Sequence, residues 1–208
     1  MQIIDADESR MIDLPGVGPC PRPVDIDQRL TGFKRLKSLR IYRFQPGPAI
    51  NGDSEGDEVL ILPLTGAVEM EITGAHPFRG RLAAEGPLRA LYMTPNHAYR
   101  LTAIGPVFVA YARARAAGLV PVQALTMQGS EAIAEQLRFW QVSLAPGGSI
   151  DAGGCLDTGG SETLVHLIRG KMHCDAGLLK AGQTLALNEG EAAALTASAA
   201  SDLLIVSA

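Results

Sequence analysis

The chain has 208 residues, of which 47% are apolar and 19% are charged, and its formal net charge is -4. This composition excludes a disordered chain, and the length allows one large domain or two of about 100 residues. The slight acidity gives no reason to expect nucleic acid or a membrane surface as a partner, and no apolar run is long enough to cross a membrane. Three distant cysteines, Cys20, Cys155 and Cys174, predict no disulfide framework and favour the reducing cytoplasm.

The first 36 residues are rich in Pro, Gly and Asp, which predicts an irregular N-terminal arm. Such an arm can fold over its own domain or exchange with a second subunit. We therefore expect a homodimer.

After the arm, the sequence repeats itself. Residues 39–50 and 137–150 each form an apolar run that enters Pro-Gly and reaches an isoleucine three residues later. A loop rich in Gly and Asp follows in each copy. An acid then opens the next strand, and seven residues separate it from a glycine: Glu58 from Gly66, and Glu162 from Gly170. Two copies of one unit predict two similar domains.

Further short apolar runs follow each acid, at residues 88–93 and 107–111 in the first copy and at 184–187 and 202–206 in the second. Short strands with turn residues between them indicate an all-β fold. The single clear helix signal begins at Ser130, which can cap residues 131–137. We therefore predict an arm (1–36), a first barrel (37–115), a linker with a short helix (116–137) and a second barrel (138–208).

The repeated unit resembles the cupin superfamily over about 40–112 and 138–207. The resemblance implies two tandem double-stranded β-helix barrels, a bicupin. In that family His-x-His, a glutamate and a third histidine in Pro-x-Gly-x-x-His bind one metal inside the barrel. The acid-to-glycine interval of seven is similar to that of the bicupin sugar-acid isomerases, such as the 5-deoxyglucuronate isomerase family.

The metal positions of the family are not histidine in this chain. Alignment on the two acids places Asn51 and Asp53, or Cys155 and Asp157, at His-x-His. The third histidine is replaced by Arg100 in the first copy and by Ala193 in the second. We predict no metal cofactor, because Zn, Fe, Cu and Ni sites depend on imidazole or thiolate. Asn51, Asp53 and Glu58 could offer oxygen ligands to a hard cation, but these residue types also suit a turn, which is the favoured interpretation.

The resemblance suggests ligand-binding residues in the first barrel. Arg100 would point inward, where its guanidinium could hold a carboxylate and pair with Glu58. His97 and Tyr99 flank it, and His97 could carry a proton. The alternative for Arg100 is a side chain that leans into solvent. The alternative for His97 is a position at the barrel mouth, where the ring bonds water.

In the second copy, Glu162 and His166 share one face of a strand because they are four residues apart. A Glu–His pair in a cavity would suit proton abstraction from a sugar acid. A histidine that is buried and satisfied in the core is the favoured interpretation. No residue is assigned as catalytic.

Two functions are weighed against each other, beside a third, a structural or assembly role in which the N-terminal arm is exchanged between subunits. The first is binding of a small, carboxylated molecule in a barrel without the usual metal site. The second is isomerisation or lysis of a sugar acid by a bicupin enzyme. The sequence does not identify the ligand or the active barrel.

Overall fold

The computed structural model describes residues 1–116, 122–125, 137–152 and 161–208, with side chains omitted at 123–125. This part of the chain is almost entirely β-structure. The arm, predicted to be irregular, instead contains four strands and one helical turn: β1 (Gln2–Ile4), β2 (Met11–Leu14), β3 (Gly18–Pro21), β4 (Val24–Asp27) and α1 (Gln28–Thr31). Asp27 caps α1 with its carboxylate, and Gly32 ends it in the left-handed conformation.

The first repeat forms eight strands, and the predicted linker adds a ninth. They are β5 (Leu36–Phe44), β6 (Ile50–Asp53), β7 (Asp57–Thr65), β8 (Ala67–Thr73), β9 (Phe78–Ala83), β10 (Ala90–Met93), β11 (Ala98–Ala103), β12 (Val107–Arg115) and β13 (Gln123–Leu125). The second repeat forms β14 (Arg138–Leu144), β15 (Ser149–Ala152), β16 (Thr163–Arg169), β17 (Lys171–Cys174), β18 (Gly177–Lys180), β19 (Thr184–Leu187), β20 (Ala193–Ala197) and β21 (Ser201–Ser207). The helix predicted from Ser130 lies outside the described residues.

Each repeat contributes one large and one small sheet. The first large sheet has the order β13-β10-β7-β12-β5-β4, and the first small sheet β6-β11-β8-β9. The second large sheet has the order β1-β19-β16-β21-β14, and the second small sheet β15-β20-β17-β18. The strands of the two repeats therefore occupy equivalent positions, as the sequence repeat predicts.

Three apolar clusters hold these sheets together. The first inner core joins the first large and small sheets, and the second inner core joins the second pair. A central cluster contains side chains from both large sheets. On β7, Val59 and Ile61 enter the first inner core, whereas Leu60 and Leu62 enter the central cluster. A strand buried on both faces has a continuous apolar sequence, which is why this run does not alternate.

The arm connects the two repeats. β1 pairs with β19 at the edge of the second large sheet, and β4 pairs with β5 in the first. The β2–β3 hairpin between them places Ile12, Leu14 and Cys20 against the first inner core. The arm thus folds over its own chain.

The glycines at the end of each acid-to-glycine interval are turn residues. Gly66 has φ +64°, and an added Cβ would lie 2.7 Å from the Pro106 carbonyl oxygen. Gly170 has φ +97°, and its Cβ would lie 2.5 Å from the Ala200 carbonyl oxygen. Both positions combine a left-handed backbone with close approach of a second chain segment, which only glycine tolerates.

Candidate functional site

Three tyrosines surround a pocket in the first inner core. Tyr42 on β5, Tyr99 on β11 and Tyr111 on β12 approach it from both sheets. The pocket has a volume of about 60 Å³. The rest of its wall is mainly apolar and consists of Leu14, Phe44, Ile50, Ile61, Leu101 and Val109, with Asn51 at its margin. We call this site the tyrosine pocket.

A glycine makes room for Tyr99. Gly52 on β6 lies directly opposite Tyr99 in the strand register. A Cβ at Gly52 would lie 2.5 Å from the Tyr99 Cζ and hydroxyl oxygen. The ring can therefore lie over the backbone of β6, where its centroid is 6.2 Å from that of Tyr111.

The hydroxyls of Tyr99 and Tyr111 are neutral at physiological pH. Burial raises the pKa of Tyr111 to about 12, although the nearby Arg113 guanidinium opposes part of that rise. Burial and then the neighbouring Tyr111 and Tyr42 raise the pKa of Tyr99 well above its usual range. A neutral phenol both donates and accepts hydrogen bonds, so these groups suit a polar ligand but are poor bases.

Arginines lie beside the tyrosines. The Arg22 guanidinium lies 5.7 Å from the Tyr42 ring centroid, and its Nη1 is 3.5 Å from the Tyr42 hydroxyl. Arg22 also donates to Asp25 at 2.7 Å. On the other side, Arg113 is paired with Asp57 at 3.1 Å and donates to the Ser54 carbonyl at 2.7 Å. Each guanidinium is paired with a carboxylate, Asp25 or Asp57, which offsets its charge near the hydroxyls.

Aliphatic residues take the three tyrosine positions in the second repeat. In the strand registers, Tyr42 corresponds to Val142, Tyr99 to Ala193 and Tyr111 to Ile205. The polar pocket is therefore a property of the first repeat.

Of the two interpretations of Arg100, the structure supports the one in which the side chain leans into solvent, and not the one in which it points inward. Arg100 is exposed on the outer face of the first small sheet, where it borders an open groove of about 400 Å³ with Glu71 and Arg79. The register pairs Tyr99 with Gly52, and Ala193 with Ala152, so Tyr99 is the structural counterpart of Ala193. The motif alignment was thus displaced by one residue in the first repeat, and such a slip moves a strand side chain to the opposite face.

Glu58 does not pair with Arg100, and the oxygen-ligand set is dispersed. Asn51 and Asp53 are exposed on β6, whereas the fully buried Glu58 faces the second repeat, where its Oε2 accepts a hydrogen bond of 3.1 Å from the Leu137 amide. Cys155 and Asp157, the corresponding positions of the second repeat, lie outside the described residues.

Glu162 has the reciprocal role. Its carboxylate accepts hydrogen bonds from the amides of Lys34, Arg35 and Leu36, the last two at 2.7 and 2.8 Å. Each acid of the repeat therefore binds the backbone just before or at the start of the other repeat's first strand. These two carboxylates hold the halves together and do not line the tyrosine pocket.

His97 is buried and bonded to protein rather than to water at a barrel mouth. Its Nδ1 lies 3.1 Å from the Thr94 carbonyl and 3.0 Å from that of Pro95, and its Nε2 accepts from the His76 amide at 3.2 Å. Because Nε2 accepts a hydrogen bond and Nδ1 faces two carbonyls, these partners place a ring proton on Nδ1. His97 joins loops and does not reach the tyrosine pocket.

His166 shares a strand face with Glu162, as predicted, but that face belongs to the central cluster and not to a barrel cavity. The two residues are about 13 Å apart along the strand, since each residue adds about 3.3 Å. They cannot act as a proton-transfer pair. Burial lowers the pKa of His166 to about 4.

Sequence reasoning found Tyr99 but missed Tyr42 and Tyr111. Both lie in strands that the sequence predicts, and the available signal was the repeat itself. Aligned on Pro46 and Pro146, Tyr42 corresponds to the aliphatic Val142. A hydroxyl that replaces an aliphatic group in one copy of a core strand indicates a polar cavity in that copy.

The comparisons with known proteins give the family. The model of the KduI/IolB family matches residues 23–138, just over half of the chain. The chain belongs to this family. No curated protein sequence matches it.

Solved structures of cupins share the fold across the whole chain. The bacterial pirin YhhW of Escherichia coli, in complex with nickel(II), has a TM-score of 0.75 at 12% identity. The alignment covers 99% of this chain and 97% of the YhhW chain. An IolB-like protein of Salmonella typhimurium has a TM-score of 0.73 at 12% identity, covering 100% and 92%. A variant of the oxalate decarboxylase OxdC of Bacillus subtilis has a TM-score of 0.73 at 9% identity, covering 100% and 77%. At these identities the likeness concerns the fold alone.

The tyrosine pocket does not fit a transition metal. Its lining supplies neutral phenols and aliphatic groups where such a metal requires imidazole, thiolate or carboxylate. Throughout the described ranges, no group of three or more His, Cys, Asp and Glu side chains is placed to hold a metal ion. No described helix is long and apolar enough to span a membrane.

Proposed function

We propose that this KduI/IolB-family chain is a bicupin that binds a small, carboxylated molecule in the tyrosine pocket, without a histidine-based metal site. Each barrel would consist of one large and one small sheet, within the boundaries 37–115 and 138–208, preceded by the arm 1–36 and joined by the linker 116–137. The observation that carries the proposal is the contrast between the repeats: three tyrosines line a pocket in one inner core, and aliphatic side chains occupy their positions in the other.

The pocket must enlarge to accept a sugar acid. About 60 Å³ holds only a few water molecules. Leu14 on the β2–β3 hairpin forms part of the wall, and the hairpin belongs to neither four-stranded small sheet nor either large sheet. We infer that outward movement of this hairpin admits the ligand.

The test uses two sugars that differ at one carbon, D-glucuronate and D-glucose. The chain has four tyrosines, so protein labelled with 3-fluorotyrosine gives four fluorine resonances that Tyr→Phe variants assign. We expect glucuronate, and not glucose, to shift the resonances of Tyr42, Tyr99 and Tyr111. Tyr92 is the internal control, because it lies in the central cluster.

Variants sharpen this test. Tyr111→Phe should weaken glucuronate binding about tenfold, the effect of one hydrogen bond to a charged group, while Tyr92→Phe should leave it unchanged. Equal shifts with glucose would refute a carboxylate requirement. Shifts confined to Tyr92, or absent for every uronate at millimolar concentration, would refute the pocket.

Family membership favours a second candidate, isomerisation of a sugar acid. That reaction moves a proton between adjacent carbons and needs a base. The tyrosine hydroxyls are weak bases at neutral pH. Carbon-13 NMR of labelled glucuronate incubated with the protein would detect a ketose product, and its appearance at a rate abolished by Tyr99→Phe would make the chain an isomerase.

We also propose a cytoplasmic homodimer that binds neither nucleic acid nor membranes. The net charge of -4 supports the absence of these polyanionic partners. Light scattering on the purified chain tests the dimer, and a strict monomer would refute it.

A further inference from the structure

A second cavity lies between the two halves, outside both inner cores. It is a groove of about 250 Å³ at the edge of the contact between the large sheets. Leu64 and Phe108 form its wall from the first half, and His166 and Ile168 form its wall from the second. Glu8, on the arm, borders its opening. We call it the interface groove.

His166 lines this groove, and one of its two ring nitrogens has a partner in the fold. The residue is only 5% exposed, and its Nδ1 lies 3.0 Å from the Thr184 hydroxyl. Among the described residues no other side chain or backbone group bonds the ring, so Nε2 remains for a ligand. Because burial lowers the pKa of His166 to about 4, the ring is neutral at pH 7 and offers one donor and one acceptor.

Arg43 supplies a cation beside an aromatic wall. Its guanidinium carbon lies 4.9 Å from the Phe108 ring centroid, and Nη2 is 2.6 Å from a carboxylate oxygen of Glu8. The Glu8 side chain is 62% exposed, so this ion pair is weak and exchangeable. A carboxylate of the arm therefore occupies the place that a carboxylate ligand would take.

We propose that the interface groove binds a small monocarboxylate with an apolar body. The carboxylate replaces Glu8 on Arg43, the body contacts Leu64, Phe108 and Ile168, and His166 bonds any polar group at the far end. The ligand links strands of both halves and displaces the arm at Glu8. This site is independent of the tyrosine pocket.

The test uses benzoate, 4-hydroxybenzoate and 4-methylpentanoate as probes, with benzamide as the uncharged control. The imidazole signals of the four histidines in proton–carbon NMR report occupancy. We expect the acids to shift the His166 signal selectively, with His97 and His173 unmoved, and benzamide to bind more weakly. Fluorotyrosine resonances of the tyrosine pocket should not move, which separates this site from the proposed function.

Charge variants identify the anchor. Arg43→Gln should weaken binding at least about tenfold, the effect of a lost charge-assisted contact, whereas the matched exposed variant Arg100→Gln should have no effect. Glu8→Gln should strengthen binding about two- to fivefold, because it removes the competing ion pair. The proposal is overturned if no acid shifts His166 up to about 10 mM, or if Arg43→Gln binds as tightly as the parent.

Discussion

Removal of the Glu162 carboxylate should weaken the contact between the two halves. Glu162 accepts hydrogen bonds from three backbone amides of the segment at the start of the first repeat. Of these donors, Leu36 is buried, whereas Lys34 and Arg35 are exposed and can bond water after the change. An unsatisfied buried amide costs about 1–3 kcal/mol, and a bond to a charged acceptor contributes about 1.5–3 kcal/mol. We therefore expect Glu162→Ala to lower the free energy of unfolding by about 3–4 kcal/mol.

Glu162→Gln should cost less, about 1–2 kcal/mol, because one amide oxygen still accepts Arg35 and Leu36 while the charge and the Lys34 bond are lost. Urea unfolding measures both variants, followed by far-ultraviolet circular dichroism and by the fluorescence of Trp140 in the second inner core. Glu69→Ala, on the outer face of β8, is the control and should change stability by less than about 0.5 kcal/mol.

The size of the stability loss shows whether the Glu162 carboxylate links the two halves. If Glu162→Ala costs less than about 1 kcal/mol, the three amides do not depend on the carboxylate, and the assigned role is wrong. Two separated transitions by circular dichroism, with the Trp140 transition unchanged, would show that the loss falls on docking of the halves rather than on the second half itself.

Three further predictions concern ionisation and packing. Because the pKa of Tyr111 is raised to about 12, the unfolded chain loses that proton first as the pH rises. The free energy of unfolding should therefore fall between about pH 10 and 12, and less steeply in Tyr111→Phe. Urea unfolding of both proteins at these pH values measures the difference. Because the pKa of His166 is lowered to about 4, the unfolded chain binds that proton first as the pH drops. The free energy of unfolding should therefore fall between about pH 6.5 and 4. An equally steep fall in His166→Gln would contradict this role of His166. Gly52→Ala should displace the Tyr99 ring, shift its fluorine resonance and abolish glucuronate binding, and unaltered binding would show that Gly52 does not shape the pocket.

The repeat, the strands and the pairing of equivalent elements could be predicted from the sequence because they depend on local patterns. The apolar run of residues 184–187 coincides with β19, and Gly66 and Gly170 are the turns that the interval indicates. The arm was misjudged in part because β1 gains its pairing from the distant strand β19, which a local reading does not contain; β4 pairs with the next strand along the chain, β5.

The site was harder to predict for a physical reason. A strand changes face at every residue, so an alignment error of one position exchanged the exposed Arg100 for the half-buried, inward-facing Tyr99. The two acids were recognised as repeated features, but their repetition reflects contact between the halves. A motif that recurs in both copies of a duplicated fold can serve the symmetric interface, whereas a binding site in one copy must come from residues that differ between them.

The difference between the two inner cores also bears on stability, because the first contains a pocket. A small cavity and buried hydroxyls stabilise less than close-packed aliphatic groups. The second inner core has the reverse composition, with Ala152 where the first has Gly52 and Ile205 where it has Tyr111. The central cluster and the reciprocal Glu58 and Glu162 contacts couple the two cores. A cavity introduced into the second core, for instance by Leu167→Ala, should therefore loosen the tyrosine pocket although it lies outside it.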